Sequence, residues 1–376
     1  MTYLGTLCLV LLTTAFAGSI SRRVGMPAVI GQLLVGIVLG PAMLGWVTSN
    51  NFVHIFSEIG VVILMFMAGL ESDLDLLKKY LKPATSVALF GVIAPIILVY
   101  LLGRIYNFTN EEAIFLGVTF AATSVSISVE VLKELKKLDT KEGTTILGAA
   151  VIDDILAVLI LSVLVSIFSD VAQAEGGHTQ SNLGVGILIQ VIYFIGIYLV
   201  FRWIAPLLMK ISEKLPISSS EILMSLVICL GMAFFADLVG LSAVVGSFFA
   251  GVAVAQTPYK QEIDSSIEPI GYAVFIPMFF VSIGLNMTFK GLLTNWLFIV
   301  ILLVLALLTK WGGCGLGAKM LGMSWHSGDI IGAGMVSRGE MALIIAQVGY
   351  EAHLLSDKFY SSVIIVIMRQ AKAEAK

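Results

Sequence analysis

Apolar runs long enough to cross a bilayer follow one another along almost the whole chain, separated only by short charged or Pro/Gly segments. A spanning helix needs about 20 predominantly apolar residues. Backbone in lipid must satisfy its own hydrogen bonds, so each run is read as a helix. A β-barrel would instead show alternating segments of about ten residues, and the sequence has none. The runs predict thirteen spans, near 3–21, 27–47, 52–72, 84–105, 112–132, 144–168, 184–206, 219–239, 241–257, 268–289, 292–314, 329–350 and 357–368. Composition agrees: 58% of residues are hydrophobic and 12% charged, against about 25% charged in soluble domains.

The first run ends in Ala15-Phe16-Ala17, which resembles a signal-peptide cleavage site. No cation precedes it and Arg22-Arg23 follow it, the pattern of a retained span whose N-terminus faces outside. With that orientation, sixteen Lys and Arg fall in inner loops, among them Lys133, Lys136, Lys137 and Lys141, and only Arg104, Lys290 and Lys358 fall outside. Such a bias predicts a cytoplasmic C-terminus. Net charge is −3 with no basic cluster, which argues against nucleic acid as a partner. Cys8, Cys229 and Cys314 are far apart in apolar stretches, so neither a disulfide nor a resident metal is expected. No cofactor motif is present.

Two segments match. Residues 27–36 read PAVIGQLLVG and residues 242–251 read SAVVGSFFAG, an offset of 215. The same offset maps span 112–132 onto 327–347. Six spans, a linking helix at 184–206 and six more place the second copy upside down in the membrane. Inverted repeats with paired interrupted helices at the midplane are typical of secondary transporters. The expected organisation is a first repeat over 1–168 and a second over 218–376. Thr123-Ser124-Val125-Ser126-Ile127-Ser128 interrupts one repeat, and Ser337-Arg338-Gly339-Glu340 the other. Interhelical packing is the plain alternative for the hydroxyl run.

Asp153 and Asp154 lie about ten residues into an otherwise uncharged span. A carboxylate at that depth costs at least about 2.5 kcal/mol and is a functional candidate by default. Adjacent helical residues point about 100° apart. One carboxylate can therefore face a cavity while the other pairs with a neighbouring helix. The same geometry argues against an aspartyl-protease dyad, whose carboxylates face each other. Lys310, in LLVLALLTKWGG, is the candidate partner, with snorkelling to the inner surface as the alternative.

Together the runs ATSVSIS, GAAVIDDILAVLIL, LLTKWGG and VSRGEMALI resemble the bacterial sodium/proton antiporters of the cation:proton antiporter superfamily, NapA-like branch. The similarity extends to PAVIGQLLVGIVLGP and LMFMAGLESDL, hence along nearly the whole chain. The resemblance implies a thirteen-span homodimer in the plasma membrane. It implies a core domain from about 84–168 and 292–368, and a dimerisation domain from about 3–72 and 219–289. It implies that Asp154 binds the cation and protons, that Asp153 pairs with Lys310, that Thr123 and Ser124 line the site, and that Glu340 stands at the second break. Arg338, Ser126 and Ser128 are secondary candidates.

One departure stands out. The last span becomes RQAKAEAK, which puts Arg369 at the position equivalent to Asp154 and makes the span short. The expected function is exchange of Na⁺ or Li⁺ for protons. The alternative is a K⁺/proton exchanger or K⁺ efflux system of the same fold. A channel or receptor is a more distant reading, and an enzyme is not expected because no nucleophile–base set is visible.

Overall fold

The computed structural model describes all residues except 1–2, 72–73, 125–127, 129–130, 133–136, 138–139, 175–191, 215, 217–218, 240, 289–294 and 375–376. The described residues form helices and connecting turns, with no strand among them. In chain order the helices are α1 (Tyr3–Arg23), α2 (Ala28–Leu39), α3 (Asn51–Glu71), α4 (Leu74–Ile105), α5 (Asn110–Thr119) and α6 (Lys141–Ala174). These are followed by α7 (Ile192–Ser212), α8 (Ser220–Leu238), α9 (Ala243–Ala255), α10 (Lys260–Leu285) and α11 (Trp296–Met320). The last three are α12 (Trp325–Gly334), α13 (Glu340–Glu351) and α14 (Asp357–Glu374). Among the described residues eight helices are long and apolar enough to cross a membrane, and shorter apolar helices accompany them. The protein is therefore a polytopic helical membrane protein.

Several expected spans are subdivided. At about 1.5 Å per residue, the 12 residues of α2 and the 13 of α9 cover less than the apolar thickness of a bilayer. The spans expected at 112–132 and 329–350 are interrupted, the first after Thr119 and the second between Gly334 and Glu340. Of the helix expected at 184–206, the described part is Ile192–Ser212, which ends several residues beyond the expected end, and 184–191 lie outside the described residues. It contains a π turn at Val200–Ile204, and α10 contains another at Gly271–Phe275. The last helix runs through Arg369, which is exposed, and its apolar part ends at Ala371.

Helix bounds recur at the offset found in the sequence. Adding 215 to α5 gives 325–334, the bounds of α12. Adding it to α2 gives 243–254, α9 to within one residue. Close contacts recur with it. A Cβ on Gly31 would lie 2.4 Å from the Ala17 carbonyl oxygen, and one on Gly246 would lie 2.2 Å from that of Met232. Gly117 meets the Ile96 carbonyl as Gly332 meets that of Trp311. Gly69 abuts Gly251, and Gly284 abuts Gly36. Each of these pairs maps onto the other at 215. Small residues let backbones touch where lipid supplies no hydrophobic drive between helices.

The chain forms two compact units. One comprises 1–12, 49–72 and 162–282; the other comprises 13–48, 73–161 and 283–376. In the first, α3 packs along α9 and α10, and the buried hydroxyls of Ser57 and Ser282 are 2.7 Å apart. In the second, α4 packs along α11 and α5, while α14 lies against α11 and α13. Its core among α4, α6, α11 and α12 uses small side chains, Ala84, Ala88, Ala149, Ala150, Cys314 and Ala318. Residues 13–48 group with this second unit.

Candidate functional site

An interrupted helix leaves backbone groups without partners, a serious cost away from water. The second unit resolves this at both breaks. After α5 the chain runs without regular secondary structure through 122–124. After α12 it runs irregularly from 336 to 339 before α13 begins at Glu340. The two irregular segments bond to each other. Ser124 N–H donates to the Ser337 carbonyl at 2.9 Å, and the Ser337 hydroxyl lies 3.1 Å from the Ser124 carbonyl. The Ser128 hydroxyl is 3.0 Å from that of Ser337 and 2.8 Å from the Gly334 carbonyl.

Two buried cations meet the carbonyl ends left by the breaks. Lys310, on α11, donates to the Ala121 carbonyl at 2.6 Å and forms an ion pair with Asp153; both side chains are 0% exposed. Arg338 is wholly buried and donates to the Phe120 carbonyl, to the Val336 carbonyl at 3.2 Å and to the Ala306 carbonyl at 3.4 Å. Cations placed at helix C-termini oppose the negative end of the helix dipole. Arg338 thus faces the end of α5 and the end of α12 at once.

The aspartate pair divides between two environments. Asp153 turns inward, where the Thr123 hydroxyl donates to the same carboxylate oxygen that faces Lys310, at 2.6 Å. Asp154 is partly accessible. Ser124 places its hydroxyl 3.4 Å from Glu340 Oε2, at the long end of hydrogen-bond range. Glu340 occupies the first turn of α13, the end of a helix that favours a negative charge. Lys310 does not snorkel: its ammonium is fully enclosed. Among the expected residues, the structure brings together Asp153, Lys310 and Thr123 in one cluster and Ser124, Ser128 and Glu340 at the crossing. Ser126 lies outside the described residues.

Sequence reasoning did not anticipate the backbone acceptors at Phe120, Ala121 and Ala306, nor Ser337 as the residue that ties the two breaks. The signal for Ser337 was its place in SRGE, at the offset of the first interruption. The carbonyls carry no sequence signal. No group of three His, Cys, Asp or Glu that could hold a metal ion occurs among the described residues.

Two interrupted helices bonded to each other at their breaks, buried cations on their carbonyl ends and an aspartate pair deep in an apolar helix define a helical secondary transporter. The chain belongs to the family described as "Sodium/hydrogen exchanger, transmembrane", which matches residues 9–370. It is 54% identical over 370 residues to a Na(+)/H(+) antiporter of Enterococcus hirae, covering 98% of this chain and 95% of that one. It is 44% identical to the Na(+)/H(+)-K(+) antiporter GerN of Bacillus cereus, covering 96% and 92%. Its fold is similar to that of the sodium proton antiporter MjNhaP1 from Methanocaldococcus jannaschii, with TM-score 0.67, 16% identity and coverage of 100% and 95%.

Proposed function

We infer that this protein is a secondary active transporter that exchanges Na⁺, or Li⁺, for H⁺ across the membrane by alternating access, and that Asp154 is the group for which cation and proton compete. The observation that carries the reading is the division of the aspartate pair. Asp153 is enclosed with Lys310, while the adjacent Asp154 remains partly accessible. A hard cation prefers oxygen ligands. In this reading Asp154 supplies the carboxylate, and Thr123 and Ser124 at the first break are the residues that supply hydroxyl and carbonyl oxygens. In one state Asp154 holds a dehydrated cation; in the other it holds a proton. The Asp153–Lys310 pair and Arg338 keep the broken segment compact in both. Glu340 and Ser128 support the crossing.

The protein works as a homodimer in the plasma membrane, with the N-terminus outside and the C-terminus in the cytoplasm. Its core domain comprises about 84–168 and 292–368, and its dimerisation domain about 3–72 and 219–289. The Lys and Arg bias supports the orientation, and the recurrence of helix bounds at 215 supports two inverted repeats.

The test uses the purified protein in proteoliposomes. Collapse of an imposed ΔpH is compared on addition of Na⁺, Li⁺, K⁺ and choline. Response to Na⁺ and Li⁺ with none to choline is expected. A response to K⁺ alone would support the K⁺/H⁺ reading, and no cation-dependent response would overturn exchange. Crosslinking in native membranes and labelling of single cysteines placed at each end test the dimer and the orientation.

A further inference from the structure

Gly91 lies on α4 at the point where that helix passes Lys310. A Cβ built on Gly91 would stand 2.4 Å from Cys314 Sγ, 3.3 Å from Lys310 Nζ and 3.5 Å from Lys310 Cε. The first separation is shorter than carbon and sulfur tolerate, and the second is tighter than ordinary contact. Cys314 is one turn beyond Lys310 on α11 and 0% exposed, packed with Val87, Ala88, Ala149 and Ala150. Its thiol is short and enclosed, so it has little room to swing aside. The Lys310 ammonium has its own fixed partners, the Ala121 carbonyl and Asp153. Glycine weakens a helix interior relative to alanine. Its presence here therefore calls for a local reason, and the ammonium beside it supplies one.

We infer that Gly91 is a positioning residue for Lys310: the missing side chain at 91 and the small thiol at 314 together leave the space in which the ammonium sits against Asp153 and the Ala121 carbonyl. This rests on the role given above to the Lys310–Asp153 pair. A methyl group at 91 strikes the thiol first and then presses the ammonium away from its acceptors. Removing the thiol frees the first contact and leaves only the 3.3 Å approach to Nζ, which a few tenths of an ångström relieve.

The experiment compares wild type, Gly91→Ala, Cys314→Ala, Gly91→Ala/Cys314→Ala and Lys310→Ala in proteoliposomes. It reads half-saturation by Na⁺ from about pH 6 to 9, a range that brackets neutrality, together with thermal stability. Cys314→Ala follows the wild type. Gly91→Ala moves the pH profile toward that of Lys310→Ala, with half-saturation changed about tenfold at some pH, the effect of one pH unit. The double variant returns to within about twofold of wild type, a residue of under half a pH unit. A folded Gly91→Ala with a wild-type profile overturns the inference, as does a double variant no better than the single. If Gly91→Ala does not fold, the double variant decides. A folded protein with the wild-type profile supports the matched pair, and an unfolded one shows a general packing need and overturns it. A wild-type profile for Lys310→Ala would instead sink the underlying role of Lys310, a distinguishable failure.

Discussion

At the scale of single residues, adjacency is what separates the two aspartates. Neighbouring positions on a helix differ by about 100° in direction, so Asp153 meets Lys310 and Asp154 does not share that position. Asp154→Asn should abolish Na⁺-dependent proton flux while leaving the protein folded, because an amide neither releases a proton nor neutralises a cation. Flux in proteoliposomes checks this, with monodispersity as the control for folding; retained exchange rules out the assignment. Lys310 and Asp153 form a fully enclosed pair. Removing one leaves the other charge uncompensated, a loss of about 3–5 kcal/mol by analogy with soluble proteins. Thermal stability of Lys310→Ala, Asp153→Ala and the double variant should therefore be non-additive. Strict additivity would mean that the pair carries no coupling.

At the scale of elements, the glycine contacts make a sharper prediction than the charges. A methyl group on Gly69 would lie 2.1 Å from the Phe248 carbonyl oxygen, and one on the equivalent Gly284 would lie 2.3 Å from that of Leu33. Both obstacles are backbone, which cannot rotate away. Gly69→Ala and Gly284→Ala should each cost about 1–3 kcal/mol, the usual size of overpacking. Gly231→Ala, with nothing within 4 Å, should be neutral or slightly stabilising through helix propensity. Melting temperatures in detergent give the comparison, and equal stability of all three variants would refute it.

What could be read from the sequence at this scale has a physical limit. Apolar runs report that a segment is buried in lipid or protein, so helix existence, the repeat offset and the charged positions in those runs were legible. They do not report where the backbone stops being helical. Phe120, Ala121 and Ala122 are as apolar as the helix before them, yet the helix ends at Thr119. Nor do they report which carbonyl a cation meets. Arg338 was visible as a charge in a span, but its bonds to Phe120 and Ala306 depend on how the chain folds back. Lys310 near the end of its run was compatible with snorkelling until its partners fixed it inside.

At the scale of the whole molecule, competition at one carboxylate imposes a law on affinity. Where Asp154 is mostly protonated and one proton leaves per cation bound, each unit fall in pH should raise the apparent Kd for Na⁺ about tenfold, or about 1.4 kcal/mol. At high pH, where the carboxylate is already ionised, the dependence should flatten. Half-saturation of transport measured from about pH 6 to 9, across neutrality, tests it. An affinity independent of pH throughout would end the competition mechanism.

The contacts that recur at 215 have a further consequence. Gly31 and Gly246, Gly117 and Gly332, Gly69 and Gly284 each meet equivalent neighbours in the two halves. The buried charges of the site do not recur: the positions equivalent to Lys310, Asp153 and Asp154 are Pro95, Met368 and Arg369. A framework whose halves can exchange shapes has no intrinsic resting side, since each arrangement is the other's counterpart. The tilt of the balance then comes from the unshared side chains alone. If the halves exchange shapes during transport, substitutions among them should reset where the molecule waits between cycles, and substitutions at the shared glycines should obstruct the exchange in both directions alike.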